Sequence, residues 1–575
     1  MKKYLLIALA ALGFTACTEA IDDAYDNAPS GELEEAYIAI NLMSADKDTR
    51  AATDTYGYEE GTNAERKINT AYFFFFDAEG NPFNVNNAPA TTPGGDKNHL
   101  SLAINAASTS GMPNVSDIKN AVLVLSTYKG VYPSKIVAVL NWTPENKAYS
   151  LDDLHDELAT IGNDANGYVM SNSVYMDGAG NIADAVPLTT ANIKTTAAEA
   201  LSTPVEIYVE RTAAKVVVTA SGKVTGTENI FDTEKDPTLL TPMGTTSSAD
   251  VYVKLLGWEL YNDYSTSHLV KNIQNWDVAT LGLTWNDIPY YRCYWALSQS
   301  TTQVDEFAWS YDDAAKAAKG FQTNYGFNVA STADYADRTT YTYLGENTRQ
   351  ADGSSDPRTK VILKAQLMQK NGENYTPLEL ARWYGTEYAG NEALRIAVAN
   401  SLKFTLYSST DGSSFSPIAP EDIECATGVA GTEAYEVGFQ LSATGRTKKW
   451  YRYSSENGYV AMADIADQDA INAAANAHLA TLEPALVYTN GQTYYFLDIE
   501  HLGAAGKPAK YGVVRNHVYQ VDIESIKGYG SPVYNGLGNI VTPPDYPIED
   551  EASYVAARIN VLSWKVVKQG VNIVQ

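Results

Sequence analysis

The chain has 575 residues, 45% of them apolar, which is enough for two or three domains with sizeable cores. Its 69 acidic against 41 basic residues give a formal charge of −28, and such a surface repels phosphate backbones, so nucleic acid is excluded as a partner. Three cysteines, Cys17, Cys293 and Cys425, make neither a disulfide framework nor a zinc site; a single Cys293–Cys425 bond and two buried thiols both remain open.

The chain starts with MKKYLLIALAALGFTAC: two lysines, an apolar run and a small-residue end, the pattern of a secretory signal. The small residues before Cys17 suit a bacterial lipoprotein signal over residues 1–17, with Phe14 where Leu is commoner, and make Cys17 the expected lipidation site. An ordinary signal peptide that happens to hold a Cys is the plainer alternative. The acidic, apolar-poor stretch after it reads as a flexible tether. No later stretch approaches the roughly 20 apolar residues of a membrane span.

Strand-like runs follow, with turn residues between them. Tyr37–Met43 alternates, placing Ile38, Ile40 and Leu42 on one face; Thr70–Phe83 is an aromatic strand running into a Gly-Asn-Pro turn. Asn120–Tyr128 and Lys135–Trp142 read as short central strands. SLDDLHDELATI from Ser150 and DQDAINAAANAHLATL from Asp467 are the best helical candidates, short enough for side helices. Val205–Gly222 holds two β runs flanking Arg211, and the main domain boundary is expected there. DVYVKLLGWELYN, RTKVILKAQLM, LKFTLYSS, QTYYFLDIEHL and HVYQVDIESIKGYG continue in kind. With 40 Tyr and long polar loops, the pattern predicts an all-β protein built of β-sandwich domains. No fixed-period repeat is visible, which disfavours a solenoid or propeller.

The sequence carries no specific catalytic constellation. His99, His155, His268, His478, His501 and His517 form no HExxH and no metal-spaced pair, and no P-loop, GxSxG or dinucleotide fingerprint occurs. DDLHDE around His155 reads as a solvated helix face, and GNDANG (Gly162–Gly167) and DGAGNIAD (Asp177–Asp184) read as turns, short of a calcium loop's ligand ladder. The expectation is a non-enzyme with no metal and no cofactor. The chain closes on an acidic, proline-broken linker, TPPDYPIEDEASYV, and an apolar tail, RINVLSWKVVKQGVNIVQ.

Several segments together resemble the fimbrial shaft subunits of Bacteroidetes, nearest the minor-fimbrium (Mfa-type) fimbrillins and related to the major fimbrial subunit. IYVERTAAKV (Ile207–Val216), YLGENT (Tyr343–Thr348), YGVVRNHVYQVDIESIKGYG (Tyr511–Gly530, with Val514, Arg515, Asn516 and Tyr519) and the tail INVLSWKVVKQGVNIV carry the resemblance in order along the chain. It implies two transthyretin-like β-sandwich domains with a few short side helices and a C-terminal donor strand. The implied divisions are a propeptide with a removable first strand (18–50), an N-terminal sandwich (51–211), a C-terminal sandwich (212–531), and a linker with the donor strand (532–575).

It also implies an outer-membrane lipoprotein precursor that an Arg-specific protease cuts, after which the protein enters a cell-surface fimbria. Arg50, in KDTR before Ala51, is the residue that fits this step, with Arg66 in AERKIN as a competitor. Removal of Ile38, Ile40 and Leu42 would expose an apolar groove, and the sequence reading takes that strand as a sheet edge. The tail is the implied donor: Leu562, Trp564 and Val566 share one parity, and Val567, Val571 and Ile573 the other. A native strand over Ile559–Val566, with only the last residues donated, is the alternative for its first part. Implied partners are identical subunits in a head-to-tail filament, tip and anchor fimbrial proteins, and an unspecified host or bacterial receptor. Adhesion and biofilm roles follow from the same resemblance. A tip or accessory adhesin of the same fold, or a glycan-binding surface lipoprotein, are the other readings.

Overall fold

The computed structural model describes residues 33–44, 62–85, 97–102, 119–220, 251–273, 342–348 and 359–534, with short interruptions, and small pieces at 224–232, 298, 309–310, 540–541 and 554–563. Strands dominate it, and the all-β expectation holds.

The N-terminal part contains β1 (Leu33–Ser44), β2 (Ala71–Phe76), β3 (His99–Leu102), β4 (Lys119–Tyr128), β5 (Lys135–Leu140), helix α1 (Leu151–Asp156), β6 (Met170–Asn172) and β7 (Val205–Arg211). They form one sheet in the order β3-β2-β5-β6-β7-β1-β4, with Val186–Pro187 added beside β5. Phe73 and Phe75 of β2 share a buried core with Leu123 and Leu125 of β4, although these strands lie far apart in the order. The sheet therefore folds over on itself and closes around that core. Phe74 and Phe76 point the opposite way, into a second cluster with Val137, Val139, Tyr149 and Leu154. This is why AYFFFF carries no polar alternation: both its faces are buried. The expected helix from Ser150 is α1, closed by a capping box between Ser150 and Asp153. Its His155 is not solvated, as the sequence reading has it. It is buried, with Nε2 2.5 Å from Asp184 Oδ2.

The chain then crosses at Thr212 into β8 (Ala213–Ala220), β9 (Val251–Tyr261), β10 (Thr342–Gly345) and β11 (Lys360–Asn371). An inserted stretch follows: β12 (Leu380–Trp383), α2 (Gly390–Leu402), β13 (Leu406–Ser409), β14 (Ile423–Ala426), β15 (Gly438–Leu441), β16 (Lys449–Ser454), β17 (Gly458–Ala461) and α3 (Gln468–Leu479). The chain returns with β18 (Gln492–Asp498), β19 (His517–Lys527) and β20 (Tyr554–Ser563). Sheet β10-β8-β19-β20 lies against a seven-stranded sheet centred on β9-β11-β18. Val216, Val218, Tyr519, Val521 and Ile523 from the first meet Val253, Leu255, Leu363, Ala365 and Leu367 from the second, giving the layered core of a β-sandwich.

The insertion has its own core, in which Leu394, Val398 and Leu402 of α2 and Ile471, Ala475 and Leu479 of α3 pack on Trp450, Phe439 and Ile423. Asp467 caps α3, accepting from the Ala470 N–H. The outer face of β13, β16 and β17 carries a set of rings, with Phe415 stacked on Tyr459 at 4.0 Å. Cys425 is a buried thiol in this unit, pushed up to about 12 by burial. Cys293 lies outside the described residues.

Candidate functional site: the first strand and the domain junction

β1 is not the edge strand that the sequence reading expects. It pairs antiparallel with β4 from Leu33↔Tyr128 to Leu42↔Lys119, and parallel with β7 from Ile40↔Val205 to Ser44↔Val209. Tyr37 adds two backbone bonds to Lys194, at 2.8 and 3.0 Å. The strand is thus paired on both sides, and β4 is the edge. The reason is length: twelve residues can span two neighbours in succession on the β7 side, first the Lys194 loop and then β7. Ile38 and Ile40 are fully buried in the N-terminal core beside Ala36. Leu42 is placed by its backbone opposite Lys119 and Ile207.

Near the other end of the chain, β20 lies in the C-terminal sandwich. β20 pairs antiparallel with β19 from Lys527↔Tyr554 to His517↔Ser563, with a bulge between Ile523 and Ser525. Leu562 sits opposite Val518 in this ladder. Cys17, Arg50, Ala51, Trp564, Val566, Val567, Val571 and Ile573 lie outside the described residues.

Three of the four sequence motifs, Ile207–Val216, Tyr343–Thr348 and Tyr511–Gly530, meet at the junction of the two domains. Glu210 of β7 pairs with Lys271 at 2.8 Å, both side chains fully buried. Lys215 of β8 reaches Glu65 at 3.0 Å, also fully buried, and Tyr343 donates to the same Glu65 oxygen at 2.6 Å. Arg211 Nε donates to the Glu65 carbonyl at 2.8 Å. Burial alone would raise the Glu65 carboxyl; Lys215 and the hydrogen bonds from Tyr343, Lys215 and the Thr62 N–H hold it below its ordinary value. Tyr343 is raised, by burial first and then by the Glu65 charge.

Glu346 of the second motif receives Arg515 of the third, with Nε and Nη2 both 3.1 Å from Oε2. The same guanidinium donates to the His268 carbonyl at 2.7 Å, tying the pair to the ribbon in which Thr266–His268 lies against Leu158–Thr160 of the N-terminal part. Asn516 adopts φ 56°, a left-handed turn that Asn tolerates, and its N–H donates to the Ala213 carbonyl at 2.7 Å. At Gly345 a Cβ would stand 2.0 Å from the Thr266 carbonyl oxygen, so only glycine allows that approach. Tyr519 OH accepts from the Val514 N–H at 2.8 Å and lies 3.0 Å from His501 Nδ1. Glu65, Lys271 and His501 belong to the junction but not to the motifs, and no local signal in the sequence marks them.

A buried charge junction that ties two β bodies together, beside a doubly paired first strand, defines an all-β architecture. Residues 486–570, covering β18 to β20, match the family described as major fimbrial subunit protein type IV, fimbrillin, C-terminal. The C-terminal region is thus of the fimbrillin type. No curated protein matches the chain. Among solved structures it is similar to a fimbrillin from Porphyromonas gingivalis, at 13% identity and TM-score 0.34 over 93% of this chain and 98% of that one. The C-terminally truncated tip fimbrial protein Mfa3 from the same organism aligns at 11% identity and TM-score 0.30, covering 92% of this chain and 100% of that one. A fimbrial assembly protein from Parabacteroides distasonis aligns at 10% and 0.28, covering 73% and 100%.

Proposed function

We propose that the chain is a fimbrial shaft subunit, exported as a lipoprotein on Cys17, cut after Arg50 and polymerised by strand donation. The observation that carries this reading is the position of β1, between β7 and β4. Losing residues up to Arg50 removes Ile38 and Ile40 from the core and strips the ladders on two flanking strands at once. The result is a groove open to a new strand, with backbone donors and acceptors on both walls, rather than a bare edge.

The donor is the tail after Ser563, with Trp564, Val566, Val567, Val571 and Ile573 supplying the apolar side chains. β20 pairs within its own sandwich from Tyr554 to Ser563, which supports a native strand ahead of the donated tail. Three to five apolar side chains at roughly 1.5–3 kcal/mol each amount to about 5–15 kcal/mol as an upper figure. A head-to-tail contact of this kind does not close on itself and therefore builds a filament. Before the cut the groove is filled and the precursor is monomeric.

A brief Arg-specific digest of the soluble precursor, residues 18–575, tests the reading by intact mass and an unheated denaturing gel. A single cut after Arg50, followed by a detergent-resistant ladder that vanishes when residues 564–575 are deleted, is the expected result. A cut protein that stays monomeric sinks the shaft role and favours a terminal adhesin.

A further inference from the structure

An Arg-specific protease meets two arginines ahead of β2, Arg50 and Arg66. A cut after Arg66 would start the chain at Lys67 and discard Glu65 with everything it holds. We propose that Glu65 decides where maturation stops: it closes Thr62–Lys67 into a turn that shields the Arg66–Lys67 bond and keeps the entry to β2 clamped on the C-terminal domain after β1 has left. This rests on the strand-removal reading above.

Proteases bind several residues in extended form on either side of the bond they cut, so backbone that is tied into the fold resists them. The backbone is so tied at Thr62, Ala64, Glu65, Arg66, Lys67 and Asn69. Glu65 Oε2 accepts from the Thr62 N–H at 2.5 Å, and Thr62 Oγ1 accepts from the Glu65 N–H at 3.2 Å, a reciprocal pair that closes the turn. Arg66 N–H donates to the Thr62 carbonyl at 3.1 Å and Lys67 N–H to that of Ala64 at 3.2 Å. Downstream, Asn141 Nδ2 donates to the Lys67 carbonyl at 2.7 Å, and Asn141 Oδ1 accepts from the Asn69 N–H at 2.7 Å.

One carboxylate therefore has two tasks. Oε2 closes the turn, while Oε1 takes Lys215 and Tyr343 from the C-terminal sandwich and so fixes the turn in space. Arg211 adds a bond to the Glu65 carbonyl. To be cut after Arg66, the segment must first break this set together, and cleavage then follows the population of the opened form. None of these bonds involves residues 51–61, so trimming there leaves the set intact.

The experiment is a time course of the soluble precursor with an Arg-specific protease, read by intact mass, for the wild type, Glu65→Gln and Tyr343→Phe. Fully buried Arg515 serves as the monitor of global unfolding. In the wild type the cut after Arg66 lags far behind the fastest one; in Glu65→Gln its rate rises on the order of tenfold or more while Arg515 stays intact. Wild-type cleavage after Arg66 as fast as at the first site overturns the proposal, and so does an unchanged Arg66 rate in both variants. Should Glu65→Gln open globally and lose Arg515 as well, Tyr343→Phe decides, since it removes one anchor and leaves the turn: faster Arg66 cleavage supports the clamp and an unchanged rate overturns it. Absence of cleavage after Arg50 counts against strand removal alone, because the Arg66 comparison is read independently.

Discussion

Arg515 is fully buried, and its charge is tolerable only because Glu346 and the His268 carbonyl receive it. Arg515→Ala leaves Glu346 in the junction without its cation, a loss of about 3–5 kcal/mol in urea unfolding. Glu65 gives a pH-dependent version of the same argument. Its folded carboxyl lies below the ordinary value, so the stabilisation is complete above the unfolded value near about 4.3 and disappears as pH falls through the folded one. The stability gap between wild type and Glu65→Gln is therefore widest at neutral pH and closes below about pH 4. Melting both proteins across that range checks the sign.

At the scale of elements, β1 and β20 are opposites. β1 is locked between two neighbours, whereas β20 borders a single strand, β19, and the tail continues beyond it. If β1 is discarded on maturation, its side chains matter only beforehand. Ile40→Ala is expected to destabilise the uncut precursor by about 2–5 kcal/mol and to leave the melting of the cut, polymerised protein unchanged. Equal effects before and after digestion would mean that β1 stays in the fold. The alternation of Ile38 and Ile40 was legible as a one-face strand, but its two partners were not. β7 follows some 160 residues later in the chain, and pairing at that distance leaves no local trace. The apolar spacing of Leu394, Val398 and Leu402 was equally present in the sequence, yet α2 lacks a capping side chain at Ala389, the usual start signal.

Among the described residues the three largest cores are those of the two sandwiches, joined by the buried charge junction, and that of the insertion between β11 and β18. Trp450 is fully buried in the third. Trp450→Ala is expected to cost about 3–5 kcal/mol there, seen as faster amide exchange over residues 381–487 with the sandwich strands unchanged. By itself the sequence determined what depends on neighbours in the chain: the β class from residue type and alternation, the capped helices from their first turns, and the fimbrillin motifs as short strings. The tertiary structure alone decided what depends on distant partners. It placed β1 inside a sheet rather than at its edge, and it gathered Glu65, Glu210, Lys215, Glu346 and Arg515 into one junction. A buried charge is stable only opposite its counter-charge, and here those counter-charges lie as far as 169 residues away in the chain.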